Sequence, residues 1–331
     1  MSGKYRVVIT DFVNDDLQLE RNVLGELAEI EALEATSEEE LMGRVEAADA
    51  LMVYHYLSVG RTTIERLERC KVIVRGGVGY DNIDRAFARE RDIPVCNVPD
   101  YGTEDVADAA MGHLLSLARG IVFYNSRLRE GQGEWAYTEG APLLRLRGRV
   151  LGIVGLGRIG SAMALRGKAI GMDVAFYDPY KQDGYDKGLG IRRVESLEEL
   201  LAQAFAVSLH TPLTEETHNM IDAAAIARMP VGSYLINTSR GAVLDTSAVP
   251  DAIASGRLAG AGIDVLPVEP PADDDPLIAA WRDPGHPAHH RVLVTPHTAF
   301  YSEQGLEDMR IKVAEGVRRA LRGEPLRNVV N

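Results

Sequence analysis

Val150-Leu-Gly-Ile-Val-Gly155-Leu-Gly157-Arg-Ile-Gly160 is the stretch on which the fold turns. An apolar run of strand type, Arg149–Val154, leads into three glycines spaced as GxGxxG, and a helical pattern, Arg158–Ile170, starts inside the motif. A second strand-type run, Asp173–Tyr177, ends at Asp178, 18 residues after Gly160. Glycine turns alone are common. A strand before, a helix after and an acid at that distance are what define a dinucleotide fold. Gly155 permits the tight strand-to-helix turn, Gly157 leaves bare backbone for a pyrophosphate, and Gly160 lets the helix lie close on the strand. Free N–H groups at the helix N-terminus face the phosphates. Asp178 would accept hydrogen bonds from ribose hydroxyls and repel a 2′-phosphate, which favours NAD over NADP, with Lys181 nearby as the counter-signal.

Outward from this motif, strand-type runs alternate with helical patterns. Before it lie Tyr5–Thr10, Ala50–Val53, Lys71–Val74 and Pro94–Cys96, with helix-compatible Thr62–Arg69 and Asp84–Arg91 between them. A long helix is expected from Thr103 to about Arg129, with Glu104 and Asp105 in its first turn, where the helix dipole favours acids. After the motif come Ala206–Leu209, Ser233–Asn237, Gly260–Asp264 and Arg291–Val294, a loop over Pro267–His290, and a closing helix from Ser302 to about Arg322. Such alternation implies parallel sheets covered by helices. At 331 residues the chain has room for about two domains. Pro99 and Gly102 punctuate a break near Val98–Gly102.

The composition excludes several function classes. The formal net charge is −13, which argues against a general nucleic-acid binder. The surplus is local: Val13–Ala50 holds 12 acids and 2 bases and reads as a solvated surface. Two cysteines, Cys70 and Cys96, build neither a disulfide framework nor a thiolate metal site, so a reduced compartment is expected. The N-terminus lacks a signal-peptide pattern, and no segment approaches the roughly 20 apolar residues of a membrane span. A soluble cytoplasmic protein is the expectation.

In open parallel sheets, ligands bind beyond the carboxyl ends of the strands. His210-Thr-Pro212, Thr238-Ser-Arg240-Gly241, Asp264 with Glu269-Pro270, and Thr295-Pro-His297 each follow a strand. Singly, Arg240 reads as a surface cation, Glu269 as a loop acid and His297 as a cap. Together they form a workable chemical set. Reducing a ketone by hydride needs a proton donor at the carbonyl oxygen, and histidine suits this near neutral pH. A carboxylate beside the imidazole fixes its tautomer, and an arginine can hold a substrate carboxylate and polarise the adjacent carbonyl.

These motifs occur in the order found in the D-isomer-specific 2-hydroxyacid dehydrogenases, which the chain resembles over most of its length. Within that family it is most similar to the branch of the C-terminal-binding-protein corepressors, through Val74-Arg-Gly-Gly-Val-Gly-Tyr-Asp-Asn-Ile-Asp84, Val95-Cys-Asn-Val-Pro99, Phe176-Tyr-Asp-Pro-Tyr180 and Phe300-Tyr-Ser-Glu-Gln304. The resemblance implies Arg240 on the substrate carboxylate and His297 as general acid–base with Glu269 as its partner. Substrate contacts would come from Arg75, from the Gly76, Gly77, Val78 and Gly79 backbone N–H groups, and from His55 and Phe300. Around NAD it implies Val106 and Thr238 at the nicotinamide, Asp264 at its carboxamide, and His210 and Pro212 near the cofactor. Gly155, Gly157, Arg158, Ile159, Gly160, Asp178, Thr211, Thr217, Ser239 and His297 complete that set.

The fold so implied is α/β with two doubly wound parallel sheets. A Rossmann NAD-binding domain, 100–301, is inserted into a flavodoxin-like substrate domain, 1–99 plus 302–331. Closure over a small anionic 2-oxo or 2-hydroxy acid and a homodimer built on Gly120–Leu146 are further expectations. Two features depart from the family. Glu269 and His297 are separated by 27 residues, more than is usual, and Phe300 stands where the corepressor branch has tryptophan. The longer loop carries His286, His289 and His290 with no matched carboxylate or thiolate spacing, so solvated loop histidines and no metal are expected. Alternatives of other kinds are a corepressor-like NAD-sensing binding protein, which NADH-dependent partner capture without turnover would reveal, and a 3-phosphoglycerate dehydrogenase.

Overall fold

The computed structural model describes residues 3–331. The chain divides into two compact units, Met1–Gly102 with Ser302–Asn331, and Thr103–Tyr301.

In the first unit, strands β1 (Tyr5–Ile9), β2 (Ala28–Ala32), β3 (Ala50–Val53), β4 (Ile73–Arg75) and β5 (Val95–Asn97) form a parallel sheet in the order β2-β1-β3-β4-β5. This is the doubly wound 2-1-3-4-5 order. Every residue of β3 is buried, as a strand covered on both faces requires. Helices α1 (Gln18–Leu24), α2 (Arg61–Arg66) and α3 (Arg85–Glu90) lie between the strands. On one face, Leu24 of α1 and Met309, Val313, Val317 and Leu321 of the closing helix, Glu303–Arg322, pack with Val7, Ile9, Met52 and Val74. On the other, Ile64 and Phe87 pack with Val8, Leu51, Val53 and Ile73. Ser302 caps the closing helix by accepting from the Gly305 N–H, and Gly323 ends it in a left-handed turn.

The second unit opens with α4 (Thr103–Ala118) and α5 (Ile121–Arg129). Strands β6 (Val150–Val154), β7 (Asp173–Tyr177), β8 (Arg192–Arg193), β9 (Ala206–Leu209), β10 (Ser233–Asn237), β11 (Leu258–Ile263) and β12 (Val292–Val294) form a parallel sheet in the order β12-β11-β10-β9-β6-β7-β8. The order reverses between β6 and β9, which is the topological switch point of a Rossmann sheet. Helix α6 (Arg158–Ala169) joins α4 on one face through Ala107, Ala110, Leu114, Met163 and Ala164. Helices α7 (Tyr185–Leu189), α8 (Leu197–Gln203), α9 (Ala223–Arg228), α10 (Val249–Ala254) and α11 (Pro276–Arg282) follow, and α8 to α11 supply Leu200, Ile226, Ile253 and Leu277 to the other face.

Three expectations are corrected. The helix expected from Thr103 to about Arg129 is two helices bent by 64°, because Gly120 adopts a left-handed φ of 62° that no helix can continue through. The loop expected over Pro267–His290 contains α11, whose N-cap Asp275 accepts from the Leu277 and Ile278 N–H groups ahead of a proline at the first position, and a 3₁₀ turn at Pro287–His290. The acidic segment Val13–Ala50 is more than solvated surface. It holds α1 and the edge strand β2, whose outward Glu29 and Glu31 keep that edge from pairing. Within it Glu20 is fully buried and meets Arg310 at 2.6 Å, while Asp15 grips the same guanidinium at 2.5 and 2.8 Å. The Arg310 hydrogen bonds hold the Asp15 carboxyl below its ordinary range. Glu38 also turns inward and accepts from the Gly60 N–H and the Thr63 hydroxyl at the start of α2.

Among the described residues, no single helix is long and apolar enough to cross a membrane. Only the bent pair α4–α5 passes on length and composition, and α4 is a core helix of its unit.

Candidate active site

In the second unit, β6 runs into the glycine turn at the switch point. Gly155 sits at φ +88°, and a Cβ there would lie 2.8 Å from the His210 carbonyl oxygen. A Cβ on Gly160 would fall 2.0 Å from the Gly155 carbonyl oxygen, so α6 packs directly on the turn. Around Gly157 nothing lies within 4 Å of that position, which leaves open backbone at the start of α6, beside Arg158 and Ile159. The Asp178 carboxylate, at the end of β7, accepts from the Leu156 N–H at 2.8 Å and the Tyr180 N–H at 3.0 Å. Each of its oxygens keeps a second lone pair for a ribose hydroxyl. The Lys181 ammonium lies 5.2 Å from the Tyr185 ring centroid.

Across the switch point, β9 ends at Ser208-Leu-His210. Burial pushes the His210 imidazole down to about 3, so it is neutral, and its Nε2 meets the Ser208 hydroxyl at 2.9 Å. The hydroxyls of Thr211 and Thr238 are buried, and neither has a hydrogen-bond partner among the described residues. Two such orphaned hydroxyls, just beyond the carboxyl ends of β9 and β10, fit a polar ligand, since buried polar groups are costly unless paired. The Thr217 hydroxyl is used inside its own loop, where it donates to the Pro212 carbonyl at 2.6 Å and accepts from the Thr214 N–H. Val106 is buried on the first turn of α4. These residues suit a dinucleotide in donor pattern and in open space.

Arg240, Glu269 and His297 come together in this unit. His297 Nδ1 lies 2.7 Å from Glu269 Oε2. A carboxylate can only accept, so Nδ1 carries the proton in that bond and the lone pair of the neutral ring is on Nε2. Burial raises the Glu269 carboxyl, but the His297 hydrogen bond and charge, the Leu266 N–H and the Arg240 charge together bring it below its ordinary value. The Leu266 N–H donates to Glu269 Oε1 at 2.8 Å. The Phe300 ring stands edge-on to His297, with centroids 6.2 Å apart.

Two supports for this set were not foreseen from sequence. Buried Asn237 ties the loop after β10: its Oδ1 accepts from the Ser239 N–H and hydroxyl, and its Nδ2 donates to the Arg240 carbonyl. Asp264, expected at the nicotinamide, is 2 % exposed. Its carboxylate accepts from the Thr295 hydroxyl at 2.6 Å and from the Thr298 and Ala299 N–H groups, and its carbonyl accepts from the His297 N–H at 2.8 Å. That clamp holds His297 at φ +52°, a left-handed conformation a non-glycine residue keeps only where its surroundings impose it. The only advance signal was an acid at the end of a strand.

In the first unit, Arg75 ends β4 and is 8 % exposed. Its Nη1 donates to the Gly76 carbonyl at 2.9 Å. The loop after it corrects an expectation: the Gly76 N–H donates to Val53 and the Gly77 N–H to Arg75, so neither is available to a substrate. The Val78 and Gly79 N–H groups have no acceptor among the described residues. Asn97, again unforeseen, braces the loop through the Val78 carbonyl at 2.7 Å. His55 lies tilted against Phe12 and edge-on to Tyr56 at the carboxyl end of β3.

Residues 111–299 match the family model described as the D-isomer specific 2-hydroxyacid dehydrogenase, NAD binding domain. A glyoxylate reductase of Korarchaeum cryptofilum is 38 % identical over 299 residues, covering 89 % of this chain and 86 % of that one. A D-3-phosphoglycerate dehydrogenase of Methanocaldococcus jannaschii is 35 % identical over 98 % of this chain, which spans 59 % of that relative's length. Among solved structures, the D-lactate dehydrogenase of Aquifex aeolicus, complexed with NAD and lactic acid, aligns with a TM-score of 0.85 at 29 % identity over 96 % of each chain. The chain belongs to the D-isomer specific 2-hydroxyacid dehydrogenase family, and its cofactor is NAD.

Proposed function

We propose that the protein is an NAD-dependent D-2-hydroxyacid dehydrogenase acting on a small, unphosphorylated 2-oxo or 2-hydroxy acid of glyoxylate to pyruvate size. The single observation that carries this reading is the Glu269–His297 pair at 2.7 Å, under the charge of Arg240, in an NAD-binding domain. NAD, when bound, supplies or accepts the hydride. His297 Nε2 gives the proton to the carbonyl oxygen in reduction and takes it back in oxidation. Glu269 fixes the tautomer and stabilises the imidazolium. Arg240 binds the substrate carboxylate and polarises the neighbouring carbonyl. Within the unit formed by 1–102 and 302–331, Arg75 and the Val78 and Gly79 amides form a separate group suited to an anion.

The loop Val268-Glu-Pro-Pro-Ala-Asp-Asp-Asp275 carries four acids and no base, which favours a substrate without a phosphate. The names of the Korarchaeum and Aquifex relatives support the same size class. We further infer a homodimer through α5 and the segment after it, where Ile121, Leu128, Trp135, Tyr137 and Leu144 are exposed, Trp135 by 91 %. A reducing, cytoplasmic setting accords with the two free thiols.

The test is NADH oxidation with glyoxylate, hydroxypyruvate, pyruvate and longer 2-oxo acids, run beside NAD reduction with 3-phosphoglycerate. Turnover is expected with the small oxo acids. NADH binding without turnover of any of them would overturn the reading, and preferred 3-phosphoglycerate oxidation would overturn its substrate class. Sedimentation with and without Trp135→Ser checks the dimer.

A further inference from the structure

We propose that Glu130, His289 and His290 form a zinc(II) site that clips α5 to the turn leading into β12. One ligand atom from each of the three residues lies within 4.8 Å of the other two. Tetrahedral zinc with nitrogen and oxygen ligands needs separations of about 3.4 Å, so side-chain rotation of roughly an ångström closes the site. No carboxylate is spaced with these histidines along the loop; the one that lies near them comes from α5, more than 150 positions earlier in the chain.

The histidines are held ready for a metal. They sit on the 3₁₀ turn Pro287–His290, which is anchored by fully buried Ala288 and capped by His286 Nδ1 accepting from the Ala288 N–H. His289 Nδ1 lies 2.7 Å from the Trp281 carbonyl oxygen. A carbonyl only accepts, so Nδ1 carries the proton and the lone pair is on Nε2. A backbone carbonyl behind a ligating imidazole is the usual outer partner of a metal site, because it sets tautomer and ring orientation. His290 packs edge-on against His289, with centroids 4.4 Å apart, and against Phe123 at 5.8 Å. The nearby cation, Arg127, is engaged by Glu139 at 2.9 Å and lies over Phe123. Glu130 is exposed and caps the end of α5; its Oε2 accepts from the Gln132 side-chain amide at 3.0 Å, and a carboxylate has a second oxygen to offer a metal. Two imidazoles and one carboxylate suit zinc, with a fourth position left for water.

The test uses the full chain after chelator dialysis, titrated with zinc chloride by calorimetry and with cobalt(II) by visible absorption. One zinc per chain is expected, with tetrahedral cobalt bands and a rise in thermal midpoint on zinc addition. Glu130→Gln and His290→Ala should each weaken binding on the order of tenfold or more and abolish the midpoint shift. NADH affinity should be unchanged throughout, so this result is separable from the assignment of the dehydrogenase site. Absence of stoichiometric uptake by the unaltered chain overturns the proposal. So does uptake undiminished in both variants, which would place the metal elsewhere, for example on His297. Because Glu130 is exposed, Glu130→Gln keeps the test decisive even if His290→Ala does not fold.

Discussion

In the first unit the strand order reverses between β1 and β3, and the carboxyl ends of those strands hold Asp11. That residue is fully buried, and its carboxylate accepts from the Tyr54 and Tyr56 N–H groups at 2.8 Å and from the Thr10 hydroxyl at 2.6 Å. In the second unit the order reverses between β6 and β9, and there the chain places glycine backbone, a neutral histidine and two unpaired hydroxyls. One crevice supplies its own anion, whereas the other leaves donors for an anion from outside. The same topology therefore does not make the same site; what stands on the strand ends decides.

The comparison breaks most sharply at His297. His297→Ala should lower kcat/KM by about 10²- to 10⁴-fold while leaving NADH affinity within twofold. Retained turnover would remove the general acid from the second unit. Asp11→Ala should cost about 3 kcal/mol, because it strands two backbone donors and a hydroxyl. The thermal midpoint should then fall by several degrees with NADH affinity unchanged. A loss of NADH binding instead would mean that the first switch point serves the cofactor. Gly157→Val should weaken NADH about tenfold or more, roughly 1.4 kcal/mol, with the midpoint unmoved, since its side chain enters open space. Gly160→Val, three residues on, should destabilise the fold through its collision with the Gly155 carbonyl.

A further effect concerns pH. His210 stays neutral in the folded chain down to about 3, against an ordinary 6.5. Between those values the unfolded chain binds a proton that the folded chain refuses. Its contribution is therefore complete above pH 6.5 and is lost as pH falls, at about 1.4 kcal/mol per pH unit. His210→Asn should reduce proton uptake on unfolding by about one, read from the pH dependence of stability.

The strands Asp173–Tyr177, Ala206–Leu209 and Ser233–Asn237 were legible residue for residue, because a parallel strand buried on both faces is a short apolar run with polar punctuation. The glycine motif was legible for a related reason, since its turn, bare backbone and helix packing each need a particular residue at a fixed spacing. Strand β2, Ala-Glu-Ile-Glu-Ala, was hidden because an edge strand carries charge on its outer side. Helix α11 was hidden because Pro276 reads as a breaker until Asp275 is seen to cap it.

By itself the sequence determined the alternating α/β order, the dinucleotide turn and the residue types of the Arg240, Glu269 and His297 set. These depend on periodicity and local sterics, which neighbours along the chain dictate. Tertiary structure alone decided which polar groups are spent and which are left. The Gly76 and Gly77 amides are consumed by Val53 and Arg75, the Asp264 carboxylate is committed to the His297 loop, Glu20 is paired with Arg310, and Glu130 is brought to two histidines. A hydrogen bond depends on distances of about 3 Å in space, and folding sets those distances between residues hundreds of positions apart.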